Sequence, residues 1–444
     1  MEKNLIKADL IIKNGLVVTI NKEGQIIEDG AVAIKDDSII AIGNSNQIMD
    51  QYFADQVIDA KDKIVMPGFV NSHTHLAMTV FRGMADDIKL TDWLHKYIFP
   101  AEKKHVSRKM VEVGTSLAVA EMIHGGTTCF NDMYYYQDVT AEIATEFGIR
   151  GIVSEGLIDF PVPNSPTPKD GMEFSAKMIE KHKKNPLIDF GIAVHAPYSC
   201  SENLMIDAKK IADYYDVNYH IHVAETKWEF DKMIAEQGKT PVQYLDSLGI
   251  LSDNVIAAHG VWLTDEDIKI VAEKGVGIAH NPVCNMKISS GAARIPELFA
   301  VNAKVGLGTD GVASNNNLNM IQEMNTMAML HKFNKMDPTV FSAEKVVRTA
   351  TIGSAEVLRK DKEIGSLEVG KKADIILIET NLPNVTPIFN VYSSIVYSML
   401  GNEVTDVIIN GKQIMRNNIL LTINENSIKH NAREFSKNIN LQIS

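Results

Sequence analysis

The chain has 444 residues, 45% of them hydrophobic and 23% charged, a globular balance with enough apolar material for one barrel-sized core and a smaller companion unit. A formal net charge of -12 leaves no broad basic surface to neutralise phosphates, so nucleic acid is excluded as an expected partner. No apolar run approaches the ~20 residues of a bilayer span, and the opening MEKNLIKADLIIKNG has no long apolar core behind its lysines, so a cytoplasmic chain without a membrane segment is expected.

Residues 8 to 60 read as short strands separated by turns, in ADLIIKNG, LVVTINKEG, GAVAIKDD and SIIAIGN. The same texture returns in KKADIILIE and VTDVIINGKQIM, near 371–379 and 404–415. Between these ends, apolar runs alternate with amphipathic helical segments, the pattern of βα units around a parallel sheet. The runs are KIVMPGFVNSH (63–73), GTTCFNDM (126–133), RGIVSEGLID (150–159), IDFGIAVHA (188–196), VNYHIHVAE (217–225), NVIAAHG (254–260), GVGIAHN (275–281) and KVGLGTDG (304–311). Eight of them predict an α/β fold, a (β/α)8 TIM-like barrel, since doubly wound sheets less often supply eight. The expected organisation is a small β-sandwich built from both chain ends (1–61 and 365–422), the barrel (62–364) and a C-terminal helix (423–444). Cys129, Cys200 and Cys284 stand far apart and in no CxxC spacing, which predicts reduced, buried thiols rather than disulfides or a thiolate zinc site.

Barrel enzymes place their working groups at the C-terminal ends of strands. Strand one ends in His73 and His75, whose i, i+2 spacing points both rings from one face. Strand five ends in His222 with Glu225 just beyond, strand six in His259 and strand eight in Asp310. A single His-X-His pair is commonly two surface rings, and an Asp in GTDG commonly a turn residue. Such groups at four strand ends around one mouth predict a site instead. His73, His75, His222 and Asp310 form a nitrogen and oxygen donor set for one divalent metal ion, with Zn2+ preferred over Fe2+ or another first-row ion. An ion of this kind lowers the pKa of bound water from 15.7 to about 7. His259, with no histidine two residues on, is expected to hold or polarise that water, Asp310 to accept a hydrogen bond from it, and Glu225 to carry its proton to a ring nitrogen or leaving group.

MPGFVNSHTH, HVAET, AHG, HNPVCNMK and GTDGVASNNN resemble the amidohydrolase superfamily, in its mononuclear deaminase and chlorohydrolase branch, over nearly the whole chain. The resemblance implies hydrolytic deamination of a heterocyclic amine with the roles just given. Dinuclear members usually carry a bridging lysine at the end of strand four, whereas IDFGIAVHAPYS has none and reaches His195, so one ion is expected. Within the branch the chain is most similar to the 5-methylthioadenosine/S-adenosylhomocysteine deaminases. That likeness implies a nucleoside substrate, with Trp93 and Glu102 of TDWLHKYIFPAEKKH lining the pocket, Glu102 gripping ribose hydroxyls and His195 also facing the substrate. By themselves Trp93 reads equally as helix packing and Glu102 as a solvated charge.

Relatives that use the S-adenosylhomocysteine tail commonly have an arginine at the end of strand three, where this chain has Glu155. A carboxylate there would repel the tail, so Glu155 is expected to steer the enzyme to 5-methylthioadenosine, 5-deoxyadenosine or adenosine. Lys227 is the one nearby basic residue that would offset it, and Arg150 belongs at the opposite end of strand three. Guanine or cytosine deamination and triazine dechlorination are the alternative reactions on this scaffold. Asn281 and Asn285 read either as loop-shaping residues, the favoured reading, or as donors that support the site's side chains. MYYYQD reads as either a pocket wall or a subunit contact. Barrels of this size often assemble symmetrically, which predicts a homodimer or homotetramer.

Overall fold

The computed structural model describes residues 5–88, 92–437 and 439. Its barrel sheet has eight strands in chain order, Phe69–Thr74, Thr127–Tyr134, Arg150–Leu157, Ile188–Val194, Tyr219–Val223, Val255–His259, Gly277–His280 and Lys304–Leu307, each parallel to the next. Helices separate them, so the strands are covered on both faces, and Thr127–Tyr134 is buried at every position. That double burial explains why these strands read as apolar runs rather than as alternating patterns. Helix Asp265–Lys274 shows how the returns are set: a capping box of Thr264 and Asp267 starts it, and Gly275, at φ 70°, ends it.

The last strand closes onto the first. Ser72 Oγ donates to the Leu307 carbonyl at 2.7 Å, and the Thr309 and Asp310 amides both donate to the His73 carbonyl, at 3.1 and 3.0 Å. Gly308 permits this approach, because a Cβ there would lie 2.4 Å from Asn281 Oδ1 and 2.8 Å from the His73 nitrogen. The closure brings the Asp310 loop against the histidine strand.

A second, mainly antiparallel sheet of nine strands draws on both chain ends. The ends meet where Lys63–Pro67 pairs antiparallel with Ile375–Glu379. Its interior is a separate apolar cluster including Leu10, Ile12, Val32, Ile375 and Leu377. The run 63–73 is therefore two strands rather than one. Lys63–Pro67 belongs to this second sheet and Phe69–Thr74 to the barrel, with Gly68 between them at a point where a Cβ would sit 2.2 Å from Thr128 Cγ2. Helix Glu425–Ser436 ends the described chain and lies against helix Arg108–His124, with Glu425 Oε2 3.2 Å from His124 Nε2. All three cysteines are free and buried. Among the described residues no helix is long and apolar enough to cross a membrane.

Candidate active site

The histidines of strands one and five meet at the mouth of the barrel with Asp310. His73 Nε2 and His75 Nε2 lie 3.3 and 3.2 Å from Asp310 Oδ1, and His222 Nε2 lies 3.4 Å from His75 Nε2. The outer ring nitrogens are tied down: His75 Nδ1 donates to the Met133 carbonyl at 2.6 Å and His222 Nδ1 to the His195 carbonyl at 2.7 Å. A carbonyl can only accept, so both rings carry a proton on Nδ1 and turn Nε2 inward. Asp310 Oδ2 accepts from Ser314 Oγ at 2.7 Å and from the Cys284 thiol at 2.8 Å, which leaves Oδ1 to the histidines.

This donor set fits a divalent metal ion. His73 Nε2 is fully buried and has no aligned hydrogen-bond partner, an orphan that coordination would satisfy. Burial lowers His73 to about 3 and His222 well below its usual range, which keeps both rings neutral and able to ligate. For His75 burial also opposes the proton, but the bond to Asp310 and its charge outweigh it and raise the ring to about 9. Asp310 is correspondingly held well below the usual carboxylate range, its burial overcome by the bonds to His73 and His75. A cation between them would take the place of the shared proton.

Trp93, Glu102, His195, Glu225 and His259 border one cavity of about 870 Å³, its mouth included. Glu225 faces it, 4.0 Å from His259 Nε2, with burial raising its carboxyl above the ordinary range. Trp93 and Glu102 both line it, so neither is packing nor solvated charge alone. The Tyr134 hydroxyl donates to Glu102 Oε1 at 2.7 Å, and burial pushes that carboxyl up to about 7. His195 lines the cavity too, its Nδ1 2.6 Å from Ser199 Oγ and its ring lowered by burial to about 4. Tyr134 and Tyr135 of the aromatic run are cavity walls.

Glu155 is not where the sequence reading puts it. Gly156 borders the cavity, while the Glu155 carboxylate points to the helix layer and accepts from the Gln137 amide at 3.1 Å and Asn164 Nδ2 at 2.6 Å. Strand alternation sends adjacent side chains to opposite faces, and Glu155 falls on the outer one. Lys227 also stays clear of the cavity, its ammonium paired with Asp231 and 5.6 Å from the Trp262 ring. Among the described residues, none lining this cavity is a lysine or arginine.

Several supporting contacts go beyond the favoured sequence reading. Asn281 and Asn285 do more than shape a loop, since Asn285 Oδ1 accepts from His259 Nδ1 at 3.0 Å and Asn281 Nδ2 lies 3.3 Å from the same nitrogen. His220 backs the metal site, its Nε2 3.0 Å from His73 Nδ1. The signal for it was present, because His220 and His222 repeat the spacing of His73 and His75. Glu229, fully buried, accepts from the Ala224 amide at 3.0 Å and the Glu225 amide at 2.8 Å. It is the N3 residue of helix Lys227–Gln237, and it reaches past the N-cap to hold the turn that carries Glu225.

Residues 64–414 match the amidohydrolase family. The chain is 42% identical over 431 residues to a 5-methylthioadenosine/S-adenosylhomocysteine deaminase of Syntrophus aciditrophicus, covering 97% of each. It is 41% identical to a 5'-deoxyadenosine deaminase of Methanosphaera stadtmanae, over 92% of this chain and 94% of that one. An adenosine deaminase structure from Xanthomonas campestris with bound zinc superimposes with a TM-score of 0.96 at 35% identity, over 98% and 99% of the two chains. A match of this extent, on a barrel whose mouth gathers inward-facing imidazoles and a carboxylate, means that the chain belongs to the amidohydrolase family.

Proposed function

We propose that the enzyme hydrolyses the 6-amino group of an adenine nucleoside, yielding the inosine analogue and ammonia. The observation that carries this reading is the convergence of His73, His75, His222 and Asp310 beside a cavity that the buried carboxyl of Glu225 faces. One zinc ion, preferred by the mixed nitrogen and oxygen donors and single because strand four ends in His195 rather than a lysine, would be held by those four and supply a Lewis acid that makes water nucleophilic near neutral pH.

Glu225 holds a proton more readily than an ordinary carboxyl, which suits a group that takes one proton from the attacking water and delivers it to ring N1. The C6–O bond forms as N1 is protonated. Asp310 and His259 then pass the remaining hydroxyl proton to the amino nitrogen, the C6–N bond breaks, and ammonia leaves a carbonyl at C6 and a hydrogen on N1. Trp93 offers an aromatic face to the nucleoside. Glu102, with Tyr134 occupying one oxygen, keeps the other for the ribose diol. The names of the relatives favour adenine nucleosides over guanine, cytosine or triazine rings. Three free thiols are consistent with work in the cytoplasm.

Ammonia release across adenosine, 5'-deoxyadenosine, 5-methylthioadenosine, guanine and cytosine, chloride release from a chlorotriazine, and bound-metal content test the reading together. Adenine nucleosides are expected to react. His222→Ala should lose the metal and the activity, and Glu225→Gln should keep the metal while kcat falls about 10²–10⁴-fold. Turnover of guanine or the triazine without turnover of any adenine nucleoside would overturn it.

A further inference from the structure

Beside the catalytic cavity lies a second hollow that shares Leu94, Phe99, Ile158, Tyr198 and Glu225 with it and adds walls of its own, chiefly Phe160 and Trp228. The two sets of walls interlock. Phe99, in the catalytic cavity, meets Phe160 edge to face with ring centroids 6.1 Å apart, and Tyr198 meets Trp228 the same way at 5.3 Å. Phe160 follows barrel strand three and Trp228 stands on the helix after strand five, so the segments after two separate strands each contribute an aromatic ring to one annex. Both rings are held substantially in solvent, Phe160 at 44% exposure and Trp228 at 47%. Large apolar rings exposed on the rim of a working cavity mark a surface that a ligand covers.

We propose that this annex receives the 5'-substituent of the nucleoside and selects uncharged, apolar thioethers up to the size of an aromatic ring. The proposal rests on the deaminase reading above. With the purine at Glu225 and the ribose diol at Glu102, C5' leaves the face of the sugar opposite the diol, and the annex is the adjoining space that continues the cavity walls. The same surroundings disfavour a zwitterionic tail. Lys232, the basic residue of the annex, is paired with Glu236, and neighbouring Lys227 is paired with Asp231. A carboxylate placed between aromatic edges would lose its hydration and would gain Lys232 only by displacing Glu236. Discrimination against S-adenosylhomocysteine thus lies in the annex rather than in Glu155, whose carboxylate is turned outward.

The test is kcat/KM for adenosine, 5-methylthioadenosine, 5'-benzylthioadenosine and S-adenosylhomocysteine, in the parent enzyme and in Phe160→Ala and Trp228→Ala. In the parent, the benzylthio compound should exceed adenosine by about 10-fold or more and S-adenosylhomocysteine should be the poorest of the thioethers. In each variant the ratio of benzylthio compound to adenosine should fall about 5- to 10-fold. A merely structural role would lower both substrates together and leave the ratio in place, and an unmoved ratio in both variants overturns the proposal. So does a parent that treats adenosine and the benzylthio compound alike, or one that prefers S-adenosylhomocysteine. Those failures leave the deaminase reading standing, whereas no ammonia from any of the four compounds, adenosine included, would remove both.

Discussion

Glu225 sits on a turn that the backbone would not adopt unaided. Ala224 just before it sits at φ 52°, a left-handed conformation that costs a non-glycine residue roughly 1 kcal/mol or more. His259 and Asp310 share the feature, at φ 75° and 58°, so three strand ends at the mouth carry strain together. What holds Ala224 is visible on both sides of its peptide: the Val261 and Trp262 amides donate to its carbonyl at 3.0 and 2.9 Å, and Glu229 accepts from its amide. Glu229 is therefore a positioning residue for Glu225. Glu229→Gln keeps one acceptor and turns an amide NH2 toward the other donor. We expect kcat to drop on the order of 10²-fold with KM and metal content little changed, and the limb of the pH-rate profile that reports Glu225 to move. An unaltered profile in a variant that is only less stable would reduce Glu229 to a structural role. The sequence shows Glu229 plainly enough, but as a helix-start glutamate four residues past Glu225. Nothing in a linear reading says that its carboxylate folds back.

At the scale of elements, Glu155 joins barrel strand three to the start of helix Gln137–Phe147 and to the loop holding Asn164. Burial pushes its carboxyl up to about 8, against the hydrogen bonds from Asn164 and Gln137. In the unfolded chain the same group loses its proton near its ordinary value of 4.5. Between those values the folded state binds more protons than the unfolded one, so stability falls as pH rises through the window, by up to about 1.4 kcal/mol per pH unit from this group. Glu155→Gln removes the titration and can keep the contacts, since Asn164 Oδ1 has no hydrogen-bond partner and an amide rotation would offer it to the new NH2. Urea midpoints measured from pH 5 to 8 should therefore decline less steeply in the variant. Parallel slopes would contradict the assignment. The strand itself is legible in the sequence as RGIVSEGL, but which of Glu155 and Gly156 faces the barrel depends on register, and a slip of one residue exchanges the two faces.

For the whole molecule, the barrel and the sheet made from the chain ends are fastened by Arg150. Its guanidinium donates to both oxygens of Asp374, Nε at 2.7 Å and Nη2 at 3.1 Å, with the two side chains 5% and 3% exposed. Arg150 begins strand three, at the end of the barrel away from the site, as its place in the sequence requires. Removing one partner of a buried pair strands the other charge, so Arg150→Ala should cost about 3–5 kcal/mol in a denaturant melt while leaving the residual folded enzyme's KM unchanged. A loss below 1 kcal/mol would show that the pair does not tie the two units.

Eight buried apolar runs announced the barrel, and the gathering of His73, His75, His222, Glu225, His259 and Asp310 at one mouth was legible too, because strand ends in such a barrel share one mouth whatever the details of packing. Trp93 and Glu102 were legible only through the family likeness, since an aromatic ring and an acid on a helix have ordinary uses. Tertiary structure alone decided the rest: that Gly68 divides one apparent strand between two sheets, that Asn281 and Asn285 reach His259, that Glu155 faces outward, and that Phe160 and Trp228 come together beside the cavity. The physical reason is common to all of these. Chemistry that depends on residue type and on period along a strand is written locally, whereas the direction of a side chain and the company it keeps depend on closure, register and loop paths that are set by contacts hundreds of residues apart.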